Sequence, residues 1–173
     1  MTNPPLHERL TFDTSQGQVL DANRRYLLMR ADVLMGMFGF MTPQAREQAL
    51  EALARSVFTH GSDSVRAYAD PADPASLGLF DAVASGAASL GWGVWQFDLG
   101  EGSCRLTVRN SPFAAASRTL RAPACAPIVG MVQAVCTHAW KRDCVAREVE
   151  CSACAPGEPA PHEGLCRFEA FVR

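Results

Sequence analysis

Alternating and helical patterns of apolar residues divide the chain into short strands and amphipathic helices. Near the start, Gln18–Leu20 and Arg25–Met29 have the residue types of strands, and the turn Asp21-Ala22-Asn23 lies between them. The apolar segment Ala31–Phe38 predicts a short helix. We therefore expect a hairpin followed by a helix in this part of the chain.

Two longer helices are predicted next. Thr42-Pro43 starts the first, because threonine is a good N-cap and proline fits the first turn. Its apolar residues form one stripe, made of Ala49, Leu50, Leu53, Ala54, Val57 and Phe58. We expect this helix to end at His60-Gly61-Ser62. A second capped helix is predicted from Asp73-Pro74 to a stop at Gly91.

The apolar period then changes to two, which is typical of strands. Trp92–Leu99 and Ser103–Val108 flank the loop Gly100-Glu101-Gly102, whose length suits a hairpin with a bulge. Further strands are predicted at Cys144–Cys151 and Cys166–Val172. Hairpin-joined strands with helices inserted between the pairs predict an α+β fold with an antiparallel sheet packed against helices, formed by residues 1–173 as one domain.

The most apolar helix is predicted from Pro123 to about Trp140. Its few polar side chains include Gln133, Thr137 and Lys141, which follow one narrow strip. A helix with so little polar surface is buried on most sides. It is therefore either the central helix of the core or part of a dimer interface.

Composition excludes several classes of function. Net charge is -2, and 15 of the 16 basic residues are arginines spread along the chain, so there is no clustered basic face for nucleic acid. No segment approaches the roughly 20 apolar residues of a membrane span. The polar start, Met1–Arg9, has no apolar core of a secretory signal, so we expect a cytoplasmic protein.

The seven cysteines change the picture most. An odd number without a secretory signal argues against a disulfide framework. The hairpin of the last two strands can bring together Glu148, Cys151, Cys154 and Cys166, and thiolates with a carboxylate make a plausible zinc shell. Cys125 is the natural candidate for a further ligand. The alternative is a set of reduced, half-buried thiols that bind nothing.

Several short motifs, in this order and spacing, resemble the 4-vinyl reductase domain family, also called hydrocarbon-binding domains. The resemblance covers about residues 91–172, with a looser match at 25–30. Its motifs are Asn110-Ser111-Pro112-Phe113-Ala114, Cys125, Gly130, Trp140, Glu148-Val149-Glu150-Cys151, Gly157 and Cys166-Arg167-Phe168.

The resemblance implies a fold related to nitric-oxide-sensing haem domains and vesicle-transport subunits, a homodimer, and an apolar pocket between helices and sheet. Related sensory domains of phenol- and toluene-responsive transcription activators hold zinc. Their ligand pattern falls here on Cys125, Glu148, Cys151 and Cys166. The loop before Cys166 is longer than usual, and its Cys154 or His162 could replace Glu148.

The pocket is harder to assign, because no His/Trp pair matches the one that fixes a phenol hydroxyl in those sensors. Apolar candidates lie on the first long strand, in the methionine-rich segment and in the motif region. They are Met37, Phe38, Trp92, Trp95, Phe97 and Phe113. Ordinary core packing is the competing explanation for each.

Three functions follow as hypotheses. The first is a binding domain for a small hydrocarbon or aromatic ligand, with a sensory role and a structural zinc. The second is a reductase or accessory factor in tetrapyrrole 4-vinyl reduction. Catalysis is disfavoured, because the sequence contains no glycine-rich phosphate loop for a nicotinamide or flavin. The third is a dimeric scaffold subunit that pairs through the Pro123–Trp140 helix.

Overall fold

The computed structural model describes residues 5–69, 77–155 and 164–173. Its helices are α1 (Leu6–Arg9), α2 (Ala31–Gly36), α3 (Pro43–Tyr68), α4 (Leu77–Ser89), α5 (Pro112–Ala115) and α6 (Ala126–Trp140). Its strands are β1 (Thr11–Asp13), β2 (Gln18–Asp21), β3 (Arg24–Tyr26), β4 (Val94–Gly100), β5 (Ser103–Arg109), β6 (Cys144–Glu150) and β7 (Leu165–Val172). Short 3-10 turns lie at Met37–Phe40, Arg118–Leu120 and Ser152–Cys154.

The strands form two antiparallel sheets. The main sheet has the order β4-β5-β7-β6, and β1-β2-β3 make a small sheet near the start of the chain. The predicted β4–β5 hairpin is present, but Gly100 pairs with Ser103 in regular register, so the loop has two residues, Glu101 and Gly102, and no bulge. The predicted α+β fold, with an antiparallel sheet packed against helices, is confirmed.

Helix α6 is the central helix of the core. It packs against α3 on one side and against β6 and β7 on the other. Ile128, Val132 and Val135 are fully buried, and they meet the inward-facing residues of the sheet, such as Leu106 and Phe168. Of the two places predicted for this helix, the structure therefore shows the core. Among the described residues, no helix is long and apolar enough to cross a membrane.

Helix α3 continues past the end predicted at His60-Gly61-Ser62 and reaches Tyr68. Gly61 does not end the helix but makes room for a neighbouring side chain, because a Cβ there would lie 2.9 Å from the Cε of Met131. The Ser62 hydroxyl donates to the Phe58 carbonyl one turn earlier, so it does not break the helix. Burial of Val65 then stabilises the additional turns.

Other boundaries also differ from the predictions. Strand β3 ends at Tyr26, and the next residues, Leu27–Met29, are exposed rather than paired. The predicted helix at 31–38 is α2 followed by a 3-10 turn, and α6 begins at Ala126 rather than Pro123. Helix α1, strand β1 and helix α5 are too short to produce a detectable period. The predicted helix start at Asp73-Pro74 lies outside the described residues.

The N-terminal segment is held to the rest of the molecule by polar contacts. Arg9 donates two hydrogen bonds to the carboxylate of Asp21, at 3.1 and 2.9 Å. The His7 ring lies 3.1 Å from the Ser89 hydroxyl at the end of α4. Leu6 is buried between these contacts. Helix α1 is thereby placed against α4, where it reaches the cavity described below.

Candidate metal centre

Three elements bring Cys125, Glu148, Cys151 and Cys166 to one end of the main sheet. Cys125 caps the start of α6, Glu148 lies on β6, and Cys151 follows that strand directly. Cys166 is the second residue of β7, the strand paired with β6. The start of α6, the end of β6 and the start of β7 therefore supply the four side chains.

A bulge in β6 decides which way two of these side chains point. Residues three apart in a regular strand face opposite sides of the sheet. The register between β6 and β7 shifts between Glu148 and Glu150, so one extra residue, Val149, turns outward and is exposed. Glu148 and Cys151 consequently both approach Cys166, while Glu150 points outward to an ion pair with Arg167.

The four side chains are close enough to share one ion. Their ligand atoms all lie within 4.8 Å of one another. The sulfurs of Cys125 and Cys166 are 3.7 Å apart. Tetrahedral zinc with Zn–S bonds of about 2.3 Å holds its sulfurs roughly 3.8 Å apart. All three cysteines are buried, so the arrangement has the size and the shielding of a structural zinc site.

Glu148 carries a feature that fits a cation. Its Oε2 accepts a hydrogen bond from the Cys125 backbone N–H at 3.1 Å. Its Oε1 is buried and has no hydrogen-bond partner within 3.5 Å among the described residues. A buried carboxylate oxygen without a partner is costly, whereas a bound metal ion would satisfy it. The donor set of three sulfurs and one carboxylate oxygen therefore fits Zn²⁺.

The charges around the thiols point the same way. Hydrogen bonds from the Cys125 and Cys151 thiols, with further bonds from Ser152, lower the pKa of Cys166 to about 3. The pKa of Cys125 is raised by its hydrogen bonds to Cys151 and Cys166 and by burial. Burial also raises the pKa of Glu148. A second negative charge in this buried cluster, in addition to one thiolate, is thus unfavourable. A bound divalent cation would offset that unfavourable energy.

Of the two alternatives for the fourth ligand, only Cys154 is described by the structure. Cys154 is exposed at the end of the turn after β6, and it does not belong to the group whose ligand atoms lie within 4.8 Å. His162 lies outside the described residues. Cys136 is buried against Cys104 about three turns along α6 from Cys125, and it does not belong to the cluster.

An apolar cavity is present beside the core. Its cavity volume is about 60 Å³, well below the roughly 300–1,000 Å³ of pockets for drug-sized ligands, so it suits only a small molecule. Its walls come from the N-terminal segment, α3, α4, the start of β4 and α6. The lining residues are Leu6, Tyr26, Ser64, Val65, Val83, Gly86, Ala87, Leu90, Trp92, Trp95 and Met131.

The six residues predicted for a pocket have different locations. Trp92 and Trp95 line the cavity, although Trp92 precedes β4 rather than lying within it. Phe113 packs edge-on against Trp92, and Phe97 packs against Trp95. Both therefore contact lining residues without lining the cavity themselves. Met37 is exposed and Phe38 is buried in the core; neither lines the cavity.

Sequence reasoning missed the wall from α4 and the N-terminal segment. The available signal was the pair of small residues Gly86 and Ala87 in an otherwise apolar helix, which leaves space beside it. Leu6 and Tyr26 gave no signal, because α1 and β3 are short. Their contribution depends on how the N-terminal segment folds over α4.

Fold and site together define a class: an α+β domain with an apolar cavity and a cysteine-rich candidate metal centre. The phenol-responsive sensory domain of the transcription activator PoxR, solved with phenol, has the same fold. The TM-score is 0.72 and the identity 18%, over 96% of this chain and 86% of that chain. A vinyl-4-reductase family protein from Methanocaldococcus jannaschii gives a TM-score of 0.52 at 15% identity, over 83% of this chain and 90% of that chain.

These likenesses confirm both relationships suggested by the sequence motifs at the level of the fold. Identities of 18% and 15% do not extend the likeness to ligands or chemistry. No protein-family model matches the sequence, and no curated protein matches it.

Proposed function

We propose that the chain is a small-molecule-binding sensory domain whose ligand is a hydrocarbon or a simple aromatic compound. The observation that carries the proposal is the apolar cavity bounded by α3, α4 and Trp95. It lies in a fold shared with a sensory domain solved with phenol. Apolar walls favour a ligand that loses little hydration on entry.

The cavity also offers a few polar groups. Ser64 and Tyr26 are the hydroxyl-bearing residues of its lining, and the indole N–H of Trp95 donates to the Trp92 carbonyl at 3.1 Å. An apolar ligand with at most one or two polar atoms suits this distribution. Phenol and toluene are therefore the first probes, because they differ by one hydrogen-bonding group.

The test is thermal unfolding with each probe, using a variant that fills the cavity. Gly86 lines the cavity and has no atom within 4 Å of an added Cβ, so Gly86→Leu places its side chain in the empty space. A ligand at a hundredfold excess over its Kd stabilises the native state by about 2.7 kcal/mol. We expect phenol or toluene to raise the Tm of the wild-type protein and to leave that of Gly86→Leu unchanged.

Gly36→Leu is the matched control. Gly36 also has open space around an added Cβ, but it lies in α2 and does not line the cavity. This variant should keep the full ligand-induced shift. If neither probe changes the Tm of the wild-type protein, or if Gly86→Leu responds as Gly36→Leu does, the cavity is not the binding site of this ligand class.

A structural zinc ion belongs to the proposal, held by Cys125, Glu148, Cys151 and Cys166. The sulfur spacing and the unpaired Oε1 of Glu148 support it. Zinc would tie β6 and β7 to the start of α6 and so stabilise the end of the sheet. Maintaining reduced thiols suits the cytoplasm, which we propose as the compartment.

Homodimerisation is the remaining part of the proposal. Large apolar side chains between β3 and α3 are exposed, as is unusual for a monomer surface. They are Leu27, Leu28, Met29, Val33, Met37 and Phe40. A second copy of the chain would cover them.

We also propose that the chain does not bind nucleic acid directly. On the outer face of the main sheet, Asp98 pairs across the strands with Arg105, and Arg105 with Glu169. Arg147 donates to Glu169 at 2.9 Å. These arginines alternate with carboxylates, so the face has no continuous positive potential to attract phosphates.

A further inference from the structure

Cys154 is the one exposed thiol among the seven cysteines, all of which lie in described residues. It ends the 3-10 turn Ser152–Cys154, which follows Cys151 directly. The Cys154 N–H donates to the Cys151 carbonyl at 3.0 Å, so the turn is closed by a bond between these two residues. The segment Cys151-Ser152-Ala153-Cys154 is therefore a C-x-x-C sequence folded back on itself.

This geometry suits a disulfide. Residues three apart in a closed turn have Cα atoms less than about 7 Å apart, close to the separation that a disulfide spans. No rearrangement of distant elements is needed to join the two thiols.

Solvent reaches the Cys151–Cys154 pair from the side of Cys154. A recess open to solvent lies next to the candidate metal centre, and its lining includes Pro123, Glu148, Cys151 and Cys154. Cys125 and Cys166 are completely buried, whereas Cys151 is 6% exposed and Cys154 lies at the surface. A small hydrophilic oxidant thus meets Cys154 first and Cys151 next.

We propose that Cys154 is an oxidation site and that its disulfide with Cys151 removes one ligand from the zinc centre. The inference rests on the zinc centre of the proposed function. An oxidant from solvent reaches the exposed Cys154 first, and Cys151, which the closed turn holds beside it, resolves the oxidised sulfur. The C-x-x-C turn thereby couples the oxidation state of a surface thiol to metal retention.

The chemistry balances with a peroxide as the oxidant. The Cys154 thiolate attacks one peroxide oxygen; an S–O bond forms, the O–O bond breaks, and the second oxygen leaves as hydroxide, which is protonated to water. The Cys151 sulfur then attacks the sulfenic sulfur; an S–S bond forms, the S–O bond breaks, and a second water leaves. Two thiols are oxidised and one peroxide is reduced to two waters.

The result at the centre is a lost thiolate. A disulfide sulfur is a poor ligand for zinc, so only Cys125, Glu148 and Cys166 remain as donors. A three-ligand shell open to the recess releases its ion more readily than a closed one. Oxidation should therefore loosen the junction between β6, β7 and α6 without touching the apolar cavity.

The experiment uses the full chain loaded with zinc and freed of reductant. Hydrogen peroxide is added in small molar excess, released zinc is followed with a chromogenic chelator, and cross-linked peptides are mapped by mass spectrometry. We expect zinc release from the wild-type protein together with a Cys151–Cys154 disulfide. Cys154→Ser and Cys154→Ala should release zinc at least about tenfold more slowly, because the remaining thiols are buried.

Cys144→Ser is the control, because Cys144 is a buried cysteine outside the centre and its loss should leave the release rate unchanged. Wild-type release rates in both Cys154 variants, or a disulfide between Cys125 and Cys166, would overturn the proposal. If the protein takes up no zinc, the metal part of the proposed function fails. The peptide map then decides alone: a Cys151–Cys154 link supports the oxidation site and any other link refutes it.

Discussion

Single residues at the candidate metal centre differ in how replaceable they are. Cys151 follows β6, Cys166 lies on β7 and Cys125 lies at the start of α6, so each thiol would connect a different element to a bound ion. Cys136 is equally buried, but it fills space beside Cys104. Burial of a cysteine therefore does not identify a ligand; convergence with other donor atoms does.

Replacing Cys151 should abolish zinc retention. Loss of one thiolate should lower the zinc affinity of Cys151→Ser by more than about 100-fold, since even the loss of a residue that only hydrogen-bonds a metal ligand costs about 10–100-fold. Elemental analysis of protein purified under reducing conditions should find zinc in the wild-type protein and none in the variant. A chelator should lower the Tm of the wild-type protein and leave that of Cys151→Ser unchanged.

Cys136→Ser is the comparison for that experiment. Its buried hydroxyl should cost roughly 1–3 kcal/mol of folding stability. The variant should keep its zinc and its response to chelator. Equal zinc loss in the two variants would remove the special role assigned to Cys151.

Asp21 gives a prediction that depends on pH. Hydrogen bonds from Arg9 hold the pKa of this carboxyl below its ordinary value of 3.8. Since the folded-state pKa is depressed, the stabilisation is fully present above the unfolded-state value and is lost as pH falls through the folded-state value. Asp21→Asn should cost on the order of 1 kcal/mol at neutral pH.

Chemical denaturation between pH 6 and pH 2.5 measures this contribution. The stability difference between the wild-type protein and Asp21→Asn should be constant above about pH 5 and shrink as pH falls below 3.8. A difference that does not change over this range would show that the pair with Arg9 contributes no net stability.

At the scale of elements, the crossing of α3 and α6 depends on one glycine. A Cβ on Gly130 would lie 2.2 Å from the Ala54 carbonyl oxygen and 3.0 Å from the Phe58 backbone nitrogen. Backbone atoms cannot move aside as a flexible side chain can. The two helices therefore approach more closely than any other residue type at this position allows.

Gly130→Ala should consequently separate the helices and destabilise the fold by roughly 3 kcal/mol, the upper range for overpacking. Gly86→Ala is the matched control, because it is also a helical glycine but has open space around an added Cβ. It should be neutral or more stable by about 0.5–1 kcal/mol. Thermal and denaturant unfolding of both variants would test the crossing, and similar stabilities would contradict it.

At the scale of the whole molecule, the N-terminal segment has two faces. Leu6 and Tyr26 close the cavity on the inside. Leu27, Leu28 and Phe40 are exposed on the outside, with Phe40 at 95%. If a second copy covers the outer face, ligand entry and dimer contacts share one short stretch of chain.

Size-exclusion chromatography with light scattering tests the dimer. The wild-type protein should have about twice the monomer mass of 18.7 kDa at micromolar concentration, because a second copy buries the exposed patch. Leu28→Asp should give a monomer, since a charge would be buried at the interface. Val94→Asp, which changes an apolar residue that is also exposed, at 50%, on the outer sheet face, should remain a dimer. A monomeric wild-type protein would exclude this interface.

The sequence by itself determined the features that depend on neighbouring residues. The alternation of Cys104, Leu106 and Val108 predicted which face of β5 is buried, and the continuous apolar run of α6 predicted its burial. The spacing of Cys125, Glu148, Cys151 and Cys166 and the family resemblance together identified the four residues that the structure brings within 4.8 Å. Local periodicity reports burial, because the periods of helices and strands are set by the backbone.

Only the tertiary structure decided the features that depend on distant contacts. Gly61 looked like a helix end, yet Met131 on another helix occupies the space that its missing side chain leaves. The bulge at Val149 turns Glu148 and Cys151 to the same side, and pairing with β7 defines it. The cavity and the exposure of Cys154 likewise arise from how separate elements pack. The pattern of apolar residues along the chain indicates which side chains are buried. The residues that they pack against are determined only when the whole chain folds.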